Sequence, residues 1–156
     1  MGNSYPQLDL DRQLCFPLYA AARGVSRVYA ELLADVGLTY PQYLTMLALW
    51  SADGALSVGE LGERLRLDSG TLTPLLKRLE AAGYLERRRD PGDERRVLAS
   101  LTPAGESLRE SVSNVPLRLS ASLGLAAGDA AALRDLLARL MANLESRGGA
   151  GGPAGS

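Results

Sequence analysis

Few residues in this chain can serve as nucleophiles or metal ligands. Histidine is absent and cysteine occurs once, at Cys15. Without histidine, Ser-His-Asp and Cys-His catalysis are excluded, together with most zinc sites. A lone cysteine is either a small buried apolar residue or a reactive thiol, and it fits a reducing compartment. As a thiol, Cys15 would attack a peroxide as the thiolate, so its surroundings would have to favour the anion. Arg12 is near in sequence, and an early helical position would add the partial positive charge of unpaired amides. Leu14, Phe16, Leu18 and the aliphatic stretch Leu44 to Trp50 could form an apolar mouth, which would favour a lipid-like hydroperoxide over hydrogen peroxide.

A second set of residues is basic. The segment SGTLTPLLKRLEAAG places Leu72, Leu75, Leu76 and Leu79 on one helical stripe, leaving Ser69, Thr71, Thr73, Lys77 and Arg78 for the other faces. Hydroxyls at a helix N-terminus with cations one to two turns later suit a DNA major groove. Pro74 leaves the carbonyl near Gly70 without a helical partner and presents a ring that can touch a thymine methyl. Arg87, Arg88 and Arg89, then Arg95 and Arg96 after a turn, make a basic hairpin able to place an arginine in a minor groove. Asp93 is expected to orient Arg95 by an ion pair. A solvated amphipathic helix and a charged hairpin would contain the same residues. The more specific signal is the ordered set of helix, short turn, helix, basic hairpin and Thr-Pro cap.

The elements that must position these residues are mostly helical. A first helix is expected from about Leu10 to Asp35, stopped by Gly37, with Pro17 forcing either a start near Cys15 or a kink. Thr39-x-x-Gln42 and Ser57-x-x-Glu60 are capping boxes that open the second and third helices. The second should end near Asp53-Gly54 and the third near Leu65. The fourth follows Asp68-Ser69 and ends at Ala82-Gly83. Tyr84–Arg89 and Arg95–Leu101 read as strands around the turn Asp90-Pro91-Gly92-Asp93. Thr102-Pro103 caps a fifth helix to about Val115, which Pro116 breaks or kinks. A last helix spans about Ala127 to Ser146, with Leu133, Leu136, Leu137, Leu140, Met141 and Leu144 on one stripe. The expected fold is mainly α with a two- to three-stranded β wing, a winged helix-turn-helix. One domain of residues 1–147 would hold the DNA-reading unit at 57–101, with dimerisation helices at 8–36 and 102–146. Residues 148–156 are a glycine-rich tail expected to be disordered. The net charge of −1 leaves DNA attraction to a local patch. The N-terminus lacks signal-peptide features and no apolar run is long enough for a bilayer, so the expected location is the cytoplasm, with no membrane partner.

ELGERLRLDSGTLTPLLKRLEAAGYLERRRDPGDERRVLASLTPAG closely resembles the MarR family of dimeric winged-helix regulators. The resemblance extends from about Leu8 to Leu144. LDRQLCFPLYAAAR around Cys15 and LTYPQYLTMLALW around Tyr40 look like its OhrR subgroup of organic-hydroperoxide-sensing repressors. The resemblance implies a homodimer bound to an inverted-repeat operator on double-stranded DNA. It implies that Cys15 is held as a thiolate by tyrosine hydroxyls, two of them from the partner subunit. The matching positions are Tyr29 and Tyr40, with Tyr19 near in sequence. Phenols stabilise an anion without competing positive charge. An organic hydroperoxide would oxidise Cys15 to sulfenic acid, the recognition helices would shift, and the operator would be released. With no second cysteine, the chain matches the one-cysteine type, whose sulfenic acid passes to a small thiol or is over-oxidised. The expected DNA contacts are Ser69, Thr71, Thr73, Pro74, Lys77, Arg78, Arg88, Asp93, Arg95 and Arg96. No cofactor, metal or enzymatic activity is expected. The alternatives are a regulator released by a small lipophilic or phenolic ligand, a thiol peroxidase and an unregulated DNA-packaging protein.

Overall fold

Residues 5–149 are described by a computed structural model. Three short 3-10 turns (Pro6–Leu8, Leu10–Arg12 and Ala34–Val36) accompany seven α-helices and three strands among these residues. In chain order the elements are α1 (Cys15–Leu32), α2 (Tyr40–Trp50), β1 (Leu56–Ser57), α3 (Val58–Leu65), α4 (Ser69–Ala81), β2 (Leu85–Asp90), β3 (Asp93–Leu101), α5 (Pro103–Ser111), α6 (Val115–Leu123) and α7 (Ala127–Gly149).

Pro17 explains where α1 begins. It occupies the third position of a helix that starts at Cys15, where an amide has no intrahelical acceptor, so its missing N–H costs no hydrogen bond. The expected start at Leu10 gives way to the 3-10 turn Leu10–Arg12, capped by Asp9. Both capping boxes form as expected. Thr39 and Gln42 satisfy each other's backbone at the start of α2, and Ser57 and Glu60 do so at α3. Gly37 takes the left-handed conformation (φ 66°) that ends the turn after α1. Helix α2 stops at Trp50, short of the expected Asp53-Gly54.

β3 is the central strand of an antiparallel sheet in the order β1-β3-β2. Leu56 pairs with Ala99 in β1, and Leu85 with Leu101 through Arg89 with Val97 in β2. β3 begins at Asp93 rather than Arg95, and the pairing is irregular between Arg89 and Asp90, where the hairpin turns. Pro116 does not simply end α5, as the sequence suggested. It is the second residue of α6, a position that tolerates proline, and α5 has already stopped at Ser111.

Residues up to Leu119 form one compact unit and those from Ser120 a second. The core of the first is Leu33, Met46, Leu61, Leu72, Leu76, Leu79 and Ala99, all without exposed surface, packed around Tyr43 and Leu49. Burying each leucine contributes roughly 1.5–3 kcal/mol, so the apolar stripe of α4 fixes that helix against α2 and α3. In the second unit, no residue of α7 is buried among the described residues, and Leu133, Leu136, Met141 and Leu144 are exposed. Helix α7 runs through Gly149, two residues into the expected glycine-rich tail; positions 150–156 lie outside the described residues.

Candidate nucleic-acid interface and thiol site

Asp68 caps α4. Its carboxylate accepts the Thr71 N–H at 2.9 Å and the Thr71 hydroxyl at 3.0 Å. The Thr71 hydroxyl therefore spends its proton inside the cap and remains only an acceptor toward a ligand. Leu72, Leu75, Leu76 and Leu79 face inward; Ser69, Pro74, Lys77 and Arg78 are exposed and Thr73 is half-buried.

The arginines of the hairpin divide by strand periodicity. Leu85 is buried, so Arg87, two residues on, shares its inward face. There it meets Glu80 of α4, donating through Nε at 3.0 Å and Nη2 at 2.6 Å, while its backbone N–H donates to the same carboxylate at 3.0 Å. Arg89 donates to the Glu94 carbonyl at 2.8 Å across the turn. Arg96 lies 3.4 Å from Glu60 and 3.8 Å from Asp90. The side chains of Lys77, Arg78, Arg88 and Arg95 are exposed and hold no ion pair among the described residues. The expected ion pair between Asp93 and Arg95 is corrected: the Asp93 carboxylate accepts the Arg95 backbone N–H at 3.0 Å, closing the turn and leaving the guanidinium unengaged. Thr73, Arg95 and Arg96 line a groove of about 460 Å³ between the start of α3, α4 and the wing.

Three carboxyls in this region are held below their ordinary values: Glu60 by hydrogen bonds from Ser57, Asp68 by Thr71, and Glu80 by Arg87. A carboxyl depressed in the folded state contributes its full stability above its unfolded value, near 4, and loses it as pH falls through the lower folded value. Urea midpoints should therefore be level from neutral pH to about 5 and drop below about 4. Glu80→Gln should remove part of that drop. A drop equal to that of the wild type would exclude Glu80 as a contributor.

At the thiol end, Cys15 is the first residue of α1 and is exposed. Leu14 lacks a capping side chain, so first-turn amides remain available to an anion. Leu14 is 77%, Phe16 43% and Leu18 39% exposed, so within one subunit the expected apolar mouth is open rather than closed. Tyr19 is one helical turn from Cys15, and its hydroxyl accepts from Arg23 Nη1 at 3.4 Å. Tyr29 and Tyr40 come together, stacked with ring centroids 3.8 Å apart, and Tyr43 lies 5.7 Å from Tyr29. Burial, the neighbouring phenols Tyr40 and Tyr43 and a hydrogen bond with Tyr40 push the Tyr29 hydroxyl up to about 12. Cys15 does not join this pair within one chain. It lies fourteen positions before Tyr29 on a continuous α1, about 21 Å along the axis.

Sequence reasoning missed the Glu80–Arg87 and Glu60–Arg96 pairs. The first could have been read from the alternation Leu85-x-Arg87, which turns Arg87 inward. The second joins residues 36 positions apart and has no local signal. Also missed was the Trp50 indole N–H, which donates to the Gly105 carbonyl at 3.0 Å and ties α2 to α5.

Comparison with known proteins agrees with this geometry. A MarR family model matches residues 36–96. The transcriptional regulator TtmR of Methylorubrum extorquens is 49% identical over 148 residues, covering 95% of this chain and 75% of its own length. The organic hydroperoxide resistance transcriptional regulator of Bacillus subtilis is 43% identical over 146 residues, covering 94% and 97%. Among solved structures, reduced AbfR bound to DNA, from Staphylococcus epidermidis, superposes with a TM-score of 0.74 at 33% identity, covering 89% of this chain and 96% of AbfR. With a winged helix-turn-helix built on α3, α4 and the β2–β3 hairpin, and with relatives of this identity along nearly its whole length, the chain belongs to the MarR family of transcriptional regulators.

Proposed function

We propose that this protein is a dimeric repressor that senses organic hydroperoxides through Cys15 and releases its operator when that thiol is oxidised. Helix α4 enters the major groove of double-stranded DNA, with Ser69, Thr73, Pro74, Lys77 and Arg78 at its surface, and the hairpin brings Arg88 and Arg95 to the flanking backbone or minor groove. Asp93 acts by shaping the turn. The terminal segments 8–36 and 102–146 form the dimer, which would cover the leucines left exposed along α7.

The observation that carries the sensor reading is the separation of Cys15 from Tyr29 and Tyr40 on one chain. On its own chain Cys15 has Tyr19 one turn away but lies about 21 Å from Tyr29, so Tyr29 and Tyr40 as phenol donors would come from the partner subunit, coupling sensing to dimer geometry. In the reaction the Cys15 thiolate attacks the terminal peroxide oxygen. An S–O bond forms, the O–O bond breaks, and the departing alkoxide takes up a proton to leave as an alcohol. A small thiol then attacks the sulfenic sulfur, giving a mixed disulfide and water. The bulkier, more polar sulfur disturbs the tyrosines, and the two recognition helices lose the spacing of about 34 Å that successive major grooves require.

The test uses an operator selected from a random duplex pool. Treatment with an organic hydroperoxide should release the wild type while a Cys15→Ser variant stays bound. Equal release of both would defeat the redox reading. That outcome would favour a second reading supported by a cleft of about 270 Å³ lined by Tyr43, Leu47, Trp50, Arg109, Val112 and Pro116, which suits a small lipophilic or phenolic ligand. Among the described residues no helix is long and apolar enough to cross a membrane, and the proposed site of action is DNA in the cytoplasm. Relatives are regulators rather than enzymes, and one thiol without a resolving partner suits a single switching event better than turnover.

A further inference from the structure

Glu60 sits at an unusual crossing of two tasks. As the third residue of α3 it closes the capping box: its Oε2 accepts the Ser57 N–H at 2.8 Å and the Ser57 hydroxyl at 2.6 Å. The same oxygen lies 3.4 Å from Arg96 Nη2 on β3. An ordinary surface glutamate can swing away when a phosphate approaches. This one cannot without losing both bonds at the helix start, so its negative charge is fixed beside the groove that Arg95 and Arg96 line. The other terminal nitrogen of Arg96, Nη1, lies 3.8 Å from Asp90 Oδ2, a looser ion pair. One arginine thus lies between two carboxylates, whereas Arg88 and Arg95 on the same hairpin are paired with none among the described residues.

We propose that Glu60 is a positioning residue that withholds Arg96 from the DNA backbone and so limits the protein's overall, sequence-independent grip on DNA. The inference rests on the DNA-binding reading above and adds to it a restraint built into the helix-turn-helix. Its physical basis is competition. A phosphate can take Arg96 only by displacing a carboxylate that its own helix cap holds in place, and each phosphate contact forgone is one counterion fewer released. The restraint favours discrimination, because a regulator with less non-specific affinity is sequestered less by the rest of the chromosome.

Glu60→Gln isolates the charge. Glutamine at this position still accepts from the Ser57 backbone, so the capping box survives. Four proteins are compared on a random-sequence duplex across a salt series: wild type, Glu60→Gln, Arg96→Ala and the double variant. Thermal melts report on folding. Glu60→Gln should bind about fivefold more tightly per subunit, the factor corresponding to one unit charge pair near 4 Å in water, and its salt dependence should steepen by about one contact per subunit. Arg96→Ala should bind nearly as the wild type does, and the double variant should match Arg96→Ala. Glu60→Gln binding no more tightly than the wild type overturns the inference. So does a gain that persists undiminished in the Arg96→Ala background, because the carboxylate would then act on DNA without Arg96. If the wild type has no affinity for any duplex, the regulator reading itself fails and this inference fails with it.

Discussion

Replacing Gly105 with alanine should destabilise the winged unit by about 3 kcal/mol or more, read as a fall in the urea midpoint with little change in slope. A methyl group at this position would overlap the Tyr84 carbonyl oxygen, lie 2.9 Å from the carbonyl carbon and press on Leu101 at 3.3 Å. The first obstacle is backbone, which has no rotamer to change. Nor can it move cheaply, since the Tyr84 carbonyl accepts the Thr102 N–H at 3.1 Å where the chain leaves β3 for α5. Gly105 is itself tied on both sides: its N–H donates to Thr102 Oγ1 at 3.1 Å and its carbonyl receives the Trp50 indole N–H at 3.0 Å. Shifting α5 to admit a methyl group would strain all three bonds. Trp50→Phe is the matched comparison. It removes the indole donor from a half-buried site and should cost only about 1–2 kcal/mol, part of it lost packing. A Gly105→Ala protein as stable as the wild type would mean that α5 slides freely over the sheet.

The second large effect separates two arginines that look alike in the sequence. Arg95→Ala should weaken operator binding about tenfold, lower the salt dependence by about one contact per subunit and leave the urea midpoint nearly unchanged. Arg87→Ala should do the reverse in stability. It removes the partner of Glu80, held by two guanidinium bonds in a partly buried setting, and loosens the wing from α4. Exposed pairs contribute about 1 kcal/mol or less, and this bidentate, half-covered pair should lie at or slightly above that. Arg87→Ala should then weaken DNA binding only as far as the wing loses its orientation. Lys77→Ala on α4 should resemble Arg95→Ala, because its ammonium group is also exposed and unpaired among the described residues. If Arg95→Ala and Arg87→Ala both spare binding and both lower stability, the wing is structural support rather than a DNA contact.

Local chemistry made much of the fold legible. Ser57 and Glu60, three residues apart, announce a capping box because side chains at that spacing reach each other's backbone. Asp68 before SGTL, and Gly83 with φ 80° after α4, bracket the recognition helix in the same local way. Errors arose where one residue type has two uses. Pro116 ends a helix if it falls inside one but begins a helix if it falls in the first turn, and only packing selects between them. Asp93 beside Arg95 suggested an ion pair. In a tight turn, the nearest donor to that carboxylate is the backbone N–H two residues on. Strand β1, only Leu56–Ser57, is too short for any periodicity and exists because Ala99 and Leu98 lie opposite it.

The sequence by itself determined that this is a helical chain with a basic wing, one oxidisable thiol and no histidine chemistry, because composition, capping and turn residues act over a few positions. It also carried the family resemblance, through the residues around Cys15, Tyr40 and the wing. The tertiary structure decided which charges are free. Arg87 and Arg96 are spent on glutamates from α4 and α3, Arg88 and Arg95 are not, and no local rule connects position 60 to position 96. It also decided that Tyr29 stacks on Tyr40 while Cys15 stands about 21 Å along α1 from Tyr29. That distance is set by the rise of a rigid helix, and it keeps Tyr29 out of reach of Cys15 within one chain.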